Sequence, residues 1–305
     1  MNPVVLEPAA CAAVLVEAFA TGPLQGNGAA VVLLQHPAEA AWMQAVAASL
    51  KQSETAFLWR QATGEWALRW FTPSCEVPLC GHATLGATLA LAHWGLLQPG
   101  ELLKLHSRSG ALAVQLDPRR SGCASLVLPS GPLEPLPAPA YLSDELGLSI
   151  TSYWGSELGY RVGLLPPSQP LESLPSPSAA LQGADRRGLV LMQGMAPMDW
   201  AQQGPELFGQ KADYQLRFFA PELGIEEDPV TGSAHALVAP WWMQQLGRRR
   251  VAGWQCSARR GGMLCELDQA DRIRLTGTGH LLWDGHIHAG HCGSDGSGWG
   301  VCHGG

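Results

Sequence analysis

Apolar residues in this chain come in short runs cut by glycine and proline, and only three stretches repeat at helical spacing. Residues 14–18 and 29–34 read as strands around a Gly26-Asn27-Gly28 turn. Residues 38–50 space Ala41, Met43, Val46, Ala47 and Leu50 as a helical face, and residues 55–59 return to a strand. Residues 82–93 carry Leu85, Ala87, Leu89, Ala90 and Leu91, which leave no polar side; a helix apolar all round is expected to be buried. A third helix is predicted over residues 233–246, with Pro240 expected to kink it or end its first part. Residues 102–105, 111–116, 124–128, 188–192 and 216–219 read as further strands. The five prolines within residues 129–140 predict a linker, and residues 164–177 a proline-rich loop.

The pattern occurs twice. Arg69-Trp70-Phe71-Thr72-Pro73 resembles Arg217-Phe218-Phe219-Ala220-Pro221, 148 residues on. Pro78-Leu79-Cys80-Gly81-His82-Ala83 resembles Pro229-Val230-Thr231-Gly232-Ser233-Ala234, 151 residues on. Each copy runs from an aromatic strand through a proline turn and an acidic loop (Glu76; Glu226, Glu227 and Asp228) to a glycine that opens an apolar helix. An offset near half the chain length predicts two similar halves related by an approximate two-fold, and is too long for a solenoid.

Composition narrows the function classes. The 305 residues are 46% hydrophobic and only 15% charged, with a formal charge of −7. That excludes a globally basic nucleic-acid footprint. No apolar run has the length of a membrane helix, and Met1 to Val5 lack the basic start of a signal peptide, so a cytoplasmic protein is expected. The eight cysteines are scattered and read as reduced thiols. Phosphate-loop and dinucleotide-binding glycine motifs are absent, so nucleotide chemistry has no support. From His280 the chain turns rich in histidine and glycine, with His280, His286, His288, His291, His303, Cys292 and Cys302. These are zinc-ligand types, but without zinc-site spacing, so a loosely held terminus is expected.

The chemistry is expected at the two helix starts. Helix N-termini offer free N–H donors and partial positive charge, which suits a carboxylate or enolate oxygen. Capping by Ser233 and a tight turn at Gly81 would explain either alone; two matched termini point to one shared site. Glu54, in Ser53-Glu54-Thr55-Ala56-Phe57, enters an apolar strand, where partial desolvation would suit a general acid/base; a capping or surface glutamate is the plainer alternative. Cys80 precedes the first buried helix, where its thiolate is expected to be favoured; it would then be a base or nucleophile, or else a small packed thiol. His82 and Asp228 are further candidates, as a helix-start imidazole and a carboxylate before Pro229, although either also fits a structural role. His235 is expected to be packed or hydrogen-bonded.

Taken together, these segments resemble the PhzF-like (phenazine-biosynthesis-like) isomerases. The likeness is carried by Glu17-Ala18-Phe19, Gly26-Asn27, Ser53 to Phe57, Arg69 to Pro73, Glu76-Val77, Leu79 to Thr84 and Glu227-Asp228-Pro229-Val230-Thr231-Gly232-Ser233-Ala234-His235, with Gln255 and Arg260-Gly261-Gly262 later. The resemblance implies an α+β, diaminopimelate epimerase-like fold: two pseudo-symmetric β-roll halves, each wrapped around a central helix, with the active site between them. It implies proton transfer with no organic cofactor and no metal. Carried over by motif, Glu54 is the acid/base, while His82, Asp228, Gly81 and Ser233 assist or bind substrate. The family usually has proline where Gly28 stands, and its characterised phenazine enzyme lacks a cysteine at the place of Cys80.

The expectation is therefore a cofactor-independent isomerase acting on a small carboxylate-bearing unsaturated substrate. Glu54, His82 and Asp228 are its catalytic residues, and Gly81, Ala83, Gly232, Ser233 and Ala234 line the substrate. Cys80 is either an acid/base or structural. One alternative is an amino-acid racemase using Cys80, against which Thr231 stands where a second thiol would be needed. Another is a non-catalytic binding or scaffold protein. The expected units are residues 1–130, 131–279 and a tail of 280–305. The expected partner is a small-molecule substrate, with no nucleic acid and no membrane, in a homodimer.

Overall fold

A computed structural model of the chain describes residues 10–195, 204–269 and 271–288. The first apolar run forms β1 (Cys11–Ala18), which turns back into β2 (Asn27–Leu34). Gly26 makes that turn possible at φ +71°, since a Cβ there would lie 2.4 Å from the Ala18 carbonyl oxygen. Helix α1 (Ala40–Leu50) leads to β3 (Glu54–Arg60), which lies parallel to β2. β4 (Trp66–Phe71) and the short β5 (Glu76–Val77) follow, then α2 (Gly81–His93). β6 (Leu102–Ser107), β7 (Gly110–Leu116) and β8 (Cys123–Pro129) complete the first series.

The second series opens with β9 (Glu134–Pro135), α3 (Ala140–Asp144), β10 (Ser152–Gly155), β11 (Arg161–Leu164) and β12 (Leu189–Gly194). A ribbon of β13 (Glu206–Leu207) and β14 (Gln210–Lys211) precedes β15 (Tyr214–Ala220) and the short β16 (Ile225–Asp228). Then come α4 (Gly232–Leu246), β17 (Arg250–Gln255), β18 (Gly261–Gln269) and β19 (Arg272–Ile287).

The strand pairings show that the sequence repeat is a fold repeat. From β1 through β2, β3, β4, β6 and β7 to β8, neighbours are antiparallel, parallel, antiparallel, parallel, antiparallel and antiparallel. From β10 through β11, β12, β15, β17 and β18 to β19 the same order recurs. The short β5 and β16 hang from equivalent strands, β4 and β15, and each delivers the chain into its helix.

β19 joins the halves. Its residues 272–278 pair with β8 and residues 279–287 with β1, so it closes the first ring of strands around α2. The loose terminus expected from His280 is therefore strand as far as Ile287, and the expected boundary between residues 279 and 280 falls inside that strand. Gly277, Gly279 and Gly285 blur its alternation in sequence, and its partner β1 lies at the far end of the chain. The tail residues His291, Cys292, Cys302 and His303 lie outside the described residues.

Helix α2 is buried on all sides, as its sequence predicts. Helix α4 also fills a ring of strands and runs on through Pro240 to Leu246, where Gly247 ends it in the left-handed region. Pro240 costs one backbone hydrogen bond. The buried faces of Ala234 to Ala239, Trp242 and Met243 hold the helix on course past it. Helix α1 packs outside the first ring, with Met43, Val46 and Ala47 against an aromatic layer containing Phe57 and Phe71. Among the described residues, no helix is long and apolar enough to cross a membrane.

Candidate active site

The N-termini of α2 and α4 meet head to head. Gly81 and Gly232, equivalent in the repeat, touch: a Cβ on either would lie 3.2–3.3 Å from the other's Cα. Each terminus is fastened from behind in the same way. Arg69 donates through Nε and Nη2 to Glu76 at 2.7 and 2.8 Å, and Arg217 to Glu227 at 2.7 and 2.6 Å. Both guanidinium groups lie 5.1 Å from an aromatic ring, Phe71 and Phe219 respectively. Burial works against the Glu76 carboxylate, but Arg69 and Arg108 outweigh it and hold its carboxyl below the usual range. These paired forks fix the turn that aims each helix.

Neither helix start takes a side-chain capping bond. Thr231, the residue before α4, gives its hydroxyl to Asp228 instead, and Ser233 Oγ lies 3.2 Å from the Tyr160 hydroxyl. The capping that could have explained these sequences is thus not made, which leaves both partial positive charges facing the same place.

That place is a cavity of about 270 Å³ between the halves. Glu54, Cys80, Gly81 and His82 line it from the first half, and Tyr160, Asp228, Thr231, Gly232 and Ser233 from the second. Leu79, Leu158, Phe218 and Ile225 give it apolar walls, and Arg187 stands at its lining as a cation. A larger hollow of about 800 Å³ lies near His93 and Arg120, at the other end of α2, away from the buried acids. Ala83 and Ala234, expected against the substrate, are fully buried in their helices and do not line the cavity. The contact there falls to the glycines and to His82 and Ser233.

Glu54 is the first residue of β3 and only 6% exposed. Its buried Oε2 lies 3.1 Å from His82 Nε2, an ion-pair distance. The other face of the His82 ring meets Cys80 Sγ at 3.5 Å and Asn27 Nδ2 at 3.1 Å from Nδ1. Burial disfavours the His82 imidazolium, but Cys80 and the Glu54 carboxylate outweigh it and raise the ring well above its ordinary range. Burial and the Glu54 charge push the Cys80 thiol up to about 11. Desolvation at this buried position thus works against the thiolate that the helix start would favour.

Asp228 ends β16 and faces Glu54 and His82 across the halves. Burial lifts its carboxyl to about 6, with His82 pulling it down and Glu54 pushing it up. Asn27 holds it in place, donating from Nδ2 at 2.7 Å to Asp228 Oδ1 and at 3.1 Å to the Val230 carbonyl. Ser53, beside Glu54, donates at 2.8 Å to Asn27 Oδ1. Gln255 braces the same loop from below, donating at 2.6 Å to the Asp228 carbonyl and accepting at 2.7 Å from Thr231 N. In sequence Asn27 reads as a turn residue, and its role as the bolt between the halves carries no local signal. Tyr160 and Arg187 were missed for the same reason. His235 is buried, paired at 2.9 Å with the Tyr214 hydroxyl, and held neutral by burial, which lowers it to about 3.

Glu54, Cys80 and His82 each place one donor atom within 4.8 Å of the others, a set that zinc accepts in type. A metal there would have to displace a protonated thiol and break the Glu54–His82 pair. A carboxyl and an imidazole also stand side by side over the two helix starts.

Comparison with known proteins follows the same line. The PhzC-PhzF family model, described as phenazine biosynthesis-like protein, matches residues 16–151 and 191–285. A protein named as an uncharacterized isomerase from Pseudomonas aeruginosa is 37% identical over 285 residues, covering 89% of this chain and 96% of its own length. The crystal structure of a PhzF-family protein from Enterococcus faecalis superposes with a TM-score of 0.75 at 30% identity, covering 92% of this chain and 99% of its own. A hydroxyproline epimerase from Agrobacterium vitis shares the fold at 11% identity, with a TM-score of 0.59 over 91% of this chain and 92% of its own.

Proposed function

The chain belongs to the phenazine biosynthesis-like (PhzC-PhzF) family and is an isomerase, and from that premise we propose that Glu54 moves a proton between two carbons of a small carboxylate-bearing unsaturated substrate. One observation carries this reading. The Glu54 Oε2 is buried 3.1 Å from His82 Nε2, in a cavity floored by two uncapped helix starts.

The steps follow from the site. The substrate's anionic group lies against the N–H groups at Gly81 and Gly232, with its unsaturated body between apolar walls. Glu54 takes a proton from a carbon acidified by the adjacent unsaturated system. The charge then spreads toward the substrate's oxygens, where fixed helix dipoles stabilise it without reorganising. Glu54, now protonated, returns the proton to another carbon on the same face, and no atom is gained or lost. His82 holds the Glu54 carboxyl in place between turnovers, and Asp228, held by Asn27 and Thr231, orients the substrate from the second half.

The test is deuterium uptake from heavy water into a panel of cyclic and linear unsaturated amino and hydroxy acids, read by mass. The expected result is a single-deuteron gain on one compound class. Loss of the acid/base in Glu54→Gln slows it by about 10²–10⁴-fold, while Cys80→Ser retains it. Exchange by Glu54→Gln at the wild-type rate would sink the assignment.

A further inference from the structure

The outer end of β19 carries side chains for which proton transfer has no use. Every second residue of a strand leaves the same face, which places Asp284 and His286 along one side, and His288 comes directly after the strand; all three are exposed. The His286 and His288 rings already stand together, with centroids 6.4 Å apart and planes tilted by 54°. Asp284 is tied to α2, its Oδ2 lying 3.2 Å from His93 Nε2. His93 is the last residue of that helix, where the macrodipole leaves partial negative charge and favours a cation.

We propose that this edge binds one divalent transition-metal cation of the zinc, nickel or copper class, with His286 and His288 as its first ligands and Asp284 as the third. Imidazole nitrogen suits these ions, and a carboxylate oxygen completes a zinc-type set. Two imidazoles at about 2.1 Å from one ion have ring centres about 5–6.5 Å apart, from tetrahedral to linear angles. The observed spacing lies in that range, so small rotations of two exposed side chains bring both rings onto the ion. The Asp284–His93 contact resembles the outer support that orients a ligand carboxylate. The site is independent of Glu54. The cavity lies at the first turn of α2 and His93 at its last, about 20 Å apart along a 13-residue helix. All three ligands lie on one strand and the residue after it, so an ion here stiffens the outer end of that strand and acts on stability rather than on turnover.

The experiment uses the full chain, stripped with chelator and titrated with zinc chloride near neutral pH by calorimetry, with the thermal midpoint followed in parallel. Wild type is expected to bind one equivalent at micromolar affinity and to melt higher with zinc. The double variant His286→Gln/His288→Gln is expected to bind about tenfold or more weakly and to lose the thermal gain. Cys80→Ser, which removes a donor from the buried cluster, is expected to bind as wild type does. Undiminished binding by the double variant, loss of binding in Cys80→Ser, or no wild-type binding below millimolar zinc each overturns the proposal. Should the double variant fail to fold, electron paramagnetic resonance of wild type with one equivalent of copper(II) decides: two or more nitrogen ligands are expected, and fewer than two refutes the site.

Discussion

At the scale of single residues, the site rests on charges held where water is excluded. Asp228 shows how this is tested. Its carboxyl sits at about 6, above the ordinary 3.8, so between about pH 4 and pH 6 the folded chain binds a proton that the unfolded chain has lost. Stability contributed by this group is therefore present at the acid end and falls as pH rises through that window. Wild type is expected to lose unfolding free energy relative to Asp228→Asn from pH 4 to pH 6, read by urea unfolding at each pH; parallel curves would show that Asp228 is not so placed. The motifs carrying Glu54, His82 and Asp228 were legible in the chain, because their residue types announce chemistry. Asn27, which bolts Asp228 to the other half, and the burial that raises the Cys80 thiol were not. Both depend on what lies across the cavity, and burial is a property of the fold rather than of neighbours in sequence.

At the scale of elements, the strand, turn and helix that deliver each half of the site are one unit used twice. Its outline could be read from the two aromatic–proline–glycine segments, because the same bidentate arginine and the same helix-opening glycine recur in each. The contact between Gly81 and Gly232 gives the unit its precision. Gly81→Ala and Gly232→Ala each force backbone apart and are expected to cost about 1–3 kcal/mol and most of the deuterium exchange. Gly131→Ala, with open space around it, is expected to change stability by less than about 0.5 kcal/mol. Equal melting of all three would show that the helix starts do not need to touch. Pro240 does not end α4, because the buried residues before and after it hold a helix that lacks one hydrogen bond. The strands after Arg250 escaped notice for the opposite reason: their glycines hide a regularity that only remote partners restore.

At the scale of the whole molecule, the halves are alike in pairing but unequal in ownership. The first ring of strands is closed by β19, the last described element, through β8 on one side and β1 on the other. A chain ended after Gly279 is expected to lose cooperative unfolding, and one ended after His288 to keep it, as followed by circular dichroism on heating. Cooperative melting of the shorter chain would contradict the closure described above. The same closure bears on how the protein is made. A chain emerging from a ribosome presents β1 and β8 long before their common neighbour exists, so its first half spends most of synthesis with two open strand edges. Each half can pair its own strands as it emerges, but the ring around α2 closes only after β19 has followed.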